Sequence, residues 1–245
     1  MHSLKQWFKQ MGIYRLLLLA IAVAALLYIF TYEELSDQSR SSWSVPLSGK
    51  IIVLDPGHGG MDGGAVSKSG LVEKDLSLAI AKYLRDFLQE AGALVIMTRE
   101  DDRDLADEGA EIRKRQDLER RVELINSNST DLMISIHLNS IPSPKWRGAQ
   151  TFYNPNRKEN AIVAHLIQQE LITNLENTDR KAKMNQDIFL LKSINTIGAL
   201  VEVGFLSNPE EANLLSDQEY QKKVADSIYR GILRYFAGEQ VPGIE

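Results

Sequence analysis

Four side chains in this chain are placed for chemistry: His58, Glu73, His137 and Glu202. His58 lies among Gly57, Gly59 and Gly60, directly after the apolar run Ile51-Ile52-Val53-Leu54 and the pair Asp55-Pro56. Proline has no N–H to continue a strand ladder, and glycines let the backbone turn sharply and admit a close neighbour. His137 ends a second apolar run, Asp131 to Asn139. Glu73 stands at a helix entrance, and Glu202 is the single acid inside the last apolar run, Gly198 to Leu206. A carboxylate in a buried strand needs a partner or a purpose. Two neutral imidazoles and one carboxylate form the donor set of catalytic zinc sites that keep a position for water. A further carboxylate, not a ligand, is what such a site uses as general base. The four residues are far apart in sequence, so spacing leaves a second reading open: two hydrogen-bonded histidines and a Glu73 that caps its helix.

Other chemistries are excluded more firmly. The chain has no cysteine, which removes disulfides, thiolate metal sites and a cysteine nucleophile together. It contains no G-x-S-x-G and no H-E-x-x-H. A dinucleotide fingerprint counted from Gly57 puts Asp62 at its last glycine, and His58 would crowd a pyrophosphate. His165 falls on a helical pattern and reads as a surface or packing residue. Net charge is −5 over 245 residues. Residues 1–32 hold Lys5, Lys9 and Arg15 and no acid, leaving about −8 for the remainder. A body that acidic is a poor nucleic-acid binder.

The elements that must carry these residues follow from periodicity. Ile51 to Leu54 reads as a strand buried on both faces. Leu76, Ala79, Ile80, Tyr83, Leu84, Phe87 and Leu88 recur at helical spacing, with Gly92 at the end. Ala93 to Thr98 is the next strand, so strand, helix and strand form a right-handed parallel unit. Residues 99–121 are dense in charge of alternating sign and read as a solvated loop and helix face, continued by an apolar stripe at Leu118, Val122 and Ile125. Further strands are expected over 131–139, 149–153, 187–192 and 198–206. Helices are expected to about Leu175, after Asn208-Pro209, and over 217–236. This predicts a single α/β domain, a mostly parallel sheet of roughly six strands flanked by helices, spanning 50–238 with a tail at 239–245. In open sheets of this kind, sites collect at the carboxyl ends of strands.

Ahead of it, residues 1–15 are basic and 16–32 are apolar. The apolar stretch would span roughly 25 Å as a helix, slightly short of a bilayer core of about 30 Å. It reads as a signal peptide or a membrane anchor, with the basic end inside and the domain exported. Residues 33–49 are Ser-rich and read as a linker, with Trp43 a packing residue where the linker meets the domain.

The sequence also resembles a known family. Leu54-Asp55-Pro56-Gly57-His58-Gly59-Gly60, Glu73-Lys74-Asp75, Ile134-Ser135-Ile136-His137 and the run from Leu200 to Asn208 are similar, in order, to the four signature blocks of the zinc-dependent N-acetylmuramoyl-L-alanine amidases. Arg121 to Asn126 also matches, and the resemblance covers residues 49–237. It implies one zinc held by His58, Glu73 and His137, with Glu202 as the catalytic carboxylate. It implies hydrolysis of the amide joining N-acetylmuramic acid to L-alanine in peptidoglycan, with zinc polarising the carbonyl. Residues 46–50, 92–100, 138–143 and 175–183 more narrowly resemble the spore-cortex, germination-specific group. There the cleavage prepares muramic acid for a muramic-δ-lactam, and a muramic acid deacetylase is the functional partner. Two departures from the wider family lie beside the site: Leu138 after the second histidine and Gly198 before the last strand. No wall-binding module is evident, nor a long insert between Asn154 and Asp187 of the kind that blocks some amidases. The alternatives are a housekeeping amidase of cell separation, another zinc hydrolase such as a peptidase or sugar deacetylase, and an inactive wall-binding protein.

Overall fold

The structure is a computed structural model that describes residues 12, 15, 18, 21–28 and 45–244. Residues 21–28 are helical. About half of the apolar stretch 16–32 and residues 33–44 of the linker, Trp43 among them, lie outside the described residues. Among those described, no helix is long and apolar enough to cross a membrane.

The unit Pro46–Glu245 is built on a six-stranded sheet in the order β2-β1-β3-β6-β4-β5. The strands are β1 (Ile51–Pro56), β2 (Leu94–Met97), β3 (Leu132–Asn139), β4 (Gln150–Tyr153), β5 (Lys183–Met184) and β6 (Gly198–Phe205). The first four in that order run parallel, while β4 is antiparallel to β6. The helices are α1 (Glu73–Glu90), α2 (Arg113–Ser127), α3 (Lys158–Leu175), α4 (Phe189–Ser193), α5 (Pro209–Ser216) and α6 (Gln218–Phe236).

Alternation along the strands divides the core into two faces. Ile52, Leu54, Leu132, Ile134, Ile136, Ala199, Val201 and Val203 pack with α1, α3 and α6 in the larger cluster. Val53, Met133 and Leu200 point the other way, against Ile125 of α2 and Leu190, Leu191 and Ile194 around α4. Asp55, Ser135, His137 and Glu202 share the parity of this smaller cluster. The large face therefore supplies most of the apolar burial, and the small face carries polar groups toward the strand ends. Leu47, which donates its N–H to Ala91, and Val241 are both buried.

Local sequence explains several helix ends. Gly92, at φ 91, follows α1: its N–H meets Gln89 O at 2.9 Å and that of Ala93 meets Leu88 O at 3.0 Å, the paired bonds of a Schellman cap. Asn208 caps α5 through the N–H groups of Glu210 and Glu211, with Pro209 at the first position. α1 begins at Glu73, three residues before its apolar stripe, because an acid in the first turn suits the helix dipole.

Two expectations fail. Residues 187–192 do not form a strand; α4 occupies 189–193, and the edge strand is Lys183–Met184. Leu190, Leu191 and Ile194 lie on one face of a single turn, a spacing too short to separate helix from strand by periodicity. The charge-dense region 99–121 is not uniformly solvated. Arg99 is 1 % exposed and Arg121 2 %, and Asp117 is buried with them. Asp117 pairs with Arg121 within one helix, but the other partners of the two arginines include Asp55, Pro56 and Gly57 on a distant segment, which charge alternation along the sequence does not reveal.

The contact between α3 and α6 yields a sharp test. A Cβ at Gly231 would stand 2.5 Å from Ile167 Cα and 2.8 Å from its N. Both are backbone atoms, so the helices themselves must part. Alanine gains about 1 kcal/mol in helix propensity, but overpacking of this kind costs ~1–3 kcal/mol or more. Gly231→Ala is therefore expected to lower the urea midpoint. A midpoint at or above that of the parent chain would show that the helices separate freely.

Candidate active site

The chain reverses direction across the sheet at β1, with β2 on one side and β3 on the other. Such a switch point leaves a crevice beyond the carboxyl ends of the strands. His58 follows β1 there, and His137 is the sixth residue of β3. His137 pairs in register with Glu202 of β6, and the register shifts immediately beyond them. A bulge at that point bends the strand ends apart beside the site.

Glu73 reaches the same place from the first turn of α1. Its Oε1 accepts from the Leu138 N–H at 2.9 Å, and its Oε2 from the Ala65 N–H at 2.8 Å. Both oxygens are thus oriented by main chain. His58 Nε2 and His137 Nδ1 each stand 3.1 Å from Oε1. One donor atom from each of His58, Glu73 and His137 lies within 4.8 Å of the others. Burial alone would raise the Glu73 pKa, but hydrogen bonds to His137 and His58, with their charges, hold it well below the usual carboxylate range. Burial works against a charged His58, yet Glu73 and then Asp62 outweigh it and push its pKa up. Two imidazoles and a carboxylate converging without a thiolate suit zinc, and the geometry has the three-ligand form of an open catalytic centre.

Asp62 was not singled out in the sequence. Its Oδ2 lies 3.0 Å from His58 Nδ1, which orients the ring and leaves Nε2 toward Glu73. The signal for it was present, since Asp62 lies four residues after His58 in a glycine-rich turn. His58 itself has φ 62, a left-handed conformation uncommon outside glycine and costing on the order of 1–2 kcal/mol. Gly57 is required by close approach: a Cβ there would sit 2.3 Å from His137 Cε1.

The strained turn is held by two buried arginines. Arg121 donates to Asp55 at 2.7 Å, Asp117 at 3.0 Å, and the carbonyls of Pro56 at 2.9 Å and His58 at 2.6 Å. Arg99 donates to the carbonyls of Pro56 at 3.1 Å, Gly57 at 2.9 Å and Lys74 at 2.7 Å. Carbonyls that the turn removes from the sheet ladder are thereby satisfied. Asp55 also accepts from Ser135 at 2.6 Å and Thr98 at 2.8 Å. Burial opposes its charge, but Arg121 and Ser135 lower its pKa to about 2.

Glu202 differs from every other buried acid here. Its Oε2 has no hydrogen-bond partner. Burial, with the Glu73 charge adding, raises its pKa to about 7 against the opposing effect of His137 and His58. It lines a cavity of about 400 Å³ together with His58, His137, Asp62, Lys114 and an apolar wall that includes Phe152, Ile188 and Phe189. His165 lies elsewhere, with Nδ1 2.7 Å from Ala161 O and its ring against Tyr153.

A mostly parallel α/β domain with His, Glu and His gathered at its switch point and a lone carboxylate beside them defines a hydrolase of metal-site design. Residues 52–234 match the family of N-acetylmuramoyl-L-alanine amidases, and the chain belongs to that family. Within it, the chain is 58 % identical over 220 residues to the germination-specific N-acetylmuramoyl-L-alanine amidase of Bacillus subtilis, covering 89 % of this chain and 92 % of that one. The fold is also similar to the CwlD amidase of Clostridioides difficile, solved in complex with the GerS lipoprotein: TM-score 0.76, 40 % identity, 78 % of this chain and all of that one. An N-acetylmuramoyl-L-alanine amidase of Clostridium difficile 630 gives a TM-score of 0.70 at 29 % identity, over 78 % of this chain and 98 % of that one.

Proposed function

We propose that this protein hydrolyses the amide bond between N-acetylmuramic acid and L-alanine in peptidoglycan. The substrate is spore cortex, and the product goes on to the muramic-δ-lactam needed in germination. The observation that carries the reading is the unpaired Glu202 carboxylate in the same cavity as the His58–Glu73–His137 cluster. The similarity to a germination-specific amidase supports the cortex as the setting.

His58, Glu73 and His137 would hold one zinc, which when bound supplies Lewis-acid polarisation of a carbonyl and acidifies water. Glu202 Oε2 takes the proton of the attacking water and passes it to the leaving alanine nitrogen. Asp62 holds the His58 ring, and the apolar wall of Phe152, Ile188 and Phe189 keeps bulk water from the leaving group. A muramic acid deacetylase then acts on the freed muramic acid. The chain is exported, and the segment 16–32 either anchors it facing outward or is cleaved. A reporter fused after Gly49 is expected to work only as an outside-active type.

The metal assignment is tested by zinc content. Purified protein should carry about one zinc per chain, and His58→Ala and His137→Ala should each lose most of it. Full occupancy in both variants would remove the cluster from the mechanism. The cortex role is tested by mass spectrometry of cortex fragments from spores with and without the protein. Fragments from the deletion should lack muramic-δ-lactam. Normal lactam together with chained vegetative cells would return the protein to a housekeeping role.

A further inference from the structure

The cavity contains a cation that neither the metal cluster nor the proton transfer uses. Among the described residues lining it, the bases other than histidine are Arg121 and Lys114. Arg121 is fully engaged by two carboxylates and two carbonyls. Lys114 is not. Its ammonium stands 3.2 Å from Asp62 Oδ2, and its side chain is 69 % exposed at the mouth of the cavity.

The placement is unfavourable for the helix that carries it. Lys114 lies in the first turn of α2, between Arg113 and Arg115, and that turn has no acid and no side-chain cap. Cations there oppose the helix dipole. Arg113 is compensated by Asp104 at 2.8 Å and Arg115 by Glu119 at 2.8 Å. Lys114 instead faces the site. Asp62 meets His58 Nδ1 at 3.0 Å, so the ammonium stands two hydrogen-bond lengths and one imidazole ring from the donor cluster. Laid end to end that path is at most roughly 8 Å, a little over two residues of extended chain. The facing wall, Leu118, Phe152, Ile188, Phe189 and Leu200, offers no anion partner and suits a small apolar group.

We propose that Lys114 is a specificity residue that engages a free carboxylate on the second residue of the stem peptide, while the alanine methyl lies against the apolar wall. The inference rests on the amidase reading and adds the charge that the cleaved peptide must carry. Lys114 recognises the acidic form of the peptide and disfavours the form in which that carboxyl is a carboxamide.

The test uses the full zinc-loaded protein and two N-acetylmuramyl peptides identical except at the second residue, which bears a free carboxylate in one and a carboxamide in the other. The parent chain is expected to prefer the carboxylate by about two- to fivefold in kcat/KM, carried by KM, the scale of one exposed charge pair. The preference should shrink as salt rises. Lys114→Met should bring the ratio close to one, and Lys114→Arg should keep most of it. If Lys114 acted only by holding Asp62 and so His58, Lys114→Met would slow both substrates alike and preserve the ratio. That result overturns the proposal, as does an active parent chain that does not distinguish the two. Failure of the parent chain to release peptide from either substrate would instead overturn the amidase reading itself.

Discussion

Glu202→Gln is expected to cut turnover by at least ~10²-fold, the usual scale for loss of a general base, while zinc content stays at the level of the parent chain. The carboxamide keeps the shape and the burial but cannot take a proton. The effect should be large because Glu202 has nothing else to do: its Oε2 is unpaired. In the metal-free protein burial raises its pKa to about 7. The same shift has a sign for stability. In metal-free protein the folded pKa lies above the ordinary 4.5. The folded state therefore binds the extra proton between pH 4.5 and about 7, and stability declines as pH rises through that window. Metal-free Glu202→Gln escapes the decline and should melt higher than the parent chain above pH 7, with little difference below pH 4.5. Near-normal turnover would remove Glu202 from the mechanism, and loss of zinc would make it a ligand.

Arg121→Met carries the second large effect. Its removal leaves Asp55 buried beside Asp117 with no cation between them, and leaves the carbonyls of Pro56 and His58 without that donor. Breaking one partner of a buried pair costs ~3–5 kcal/mol, a large fraction of a domain's net stability. Zinc retention should fall as well, because the turn that presents His58 loses its anchor. Arg121→Lys should recover little, since an ammonium cannot reproduce the guanidinium's forked geometry. In the parent chain, Asp55 contributes stability that is fully present above its ordinary pKa of 3.8 and is lost as pH falls through about 2. In Arg121→Met the Asp55 pKa rises, because burial loses its main opponent, so this acid-side loss should shrink or reverse, measurable by urea unfolding between pH 2 and pH 6. Parent-like stability with parent-like zinc would show the network to be incidental.

The sequence by itself determined the strand framework and the four polar positions. Ile51 to Leu54, Asp131 to Asn139 and Gly198 to Leu206 are apolar runs long enough to be buried strands, and His58, His137 and Glu202 interrupt or end them. Hydrophobic periodicity is a local signal, so it survives in one dimension. The caps at Gly92 and Asn208 were legible for the same reason. Glu73 joined the set by its place at a helix entrance, and the ordered blocks similar to the amidases include the same four residues. Only the tertiary structure decided the rest. It placed His137, Glu202 and Asp55 on one face of the sheet and drew Glu73 over the strand ends from a helix on the other. It buried Arg99 and Arg121, which along the chain look like any charges in a solvated helix. Apart from Asp117, one helical turn from Arg121, the carbonyls and the carboxylate that they hold at the turn lie 25 to 66 residues away, and no local pattern encodes that distance. It turned 189–193 into a helical turn, because a five-residue segment with three apolar residues in a row has no period of its own and takes the form its neighbours allow. And it brought Lys114 beside Asp62, a contact between a helix's first turn and a glycine loop 52 residues earlier, which exists only once β1 and α2 have packed.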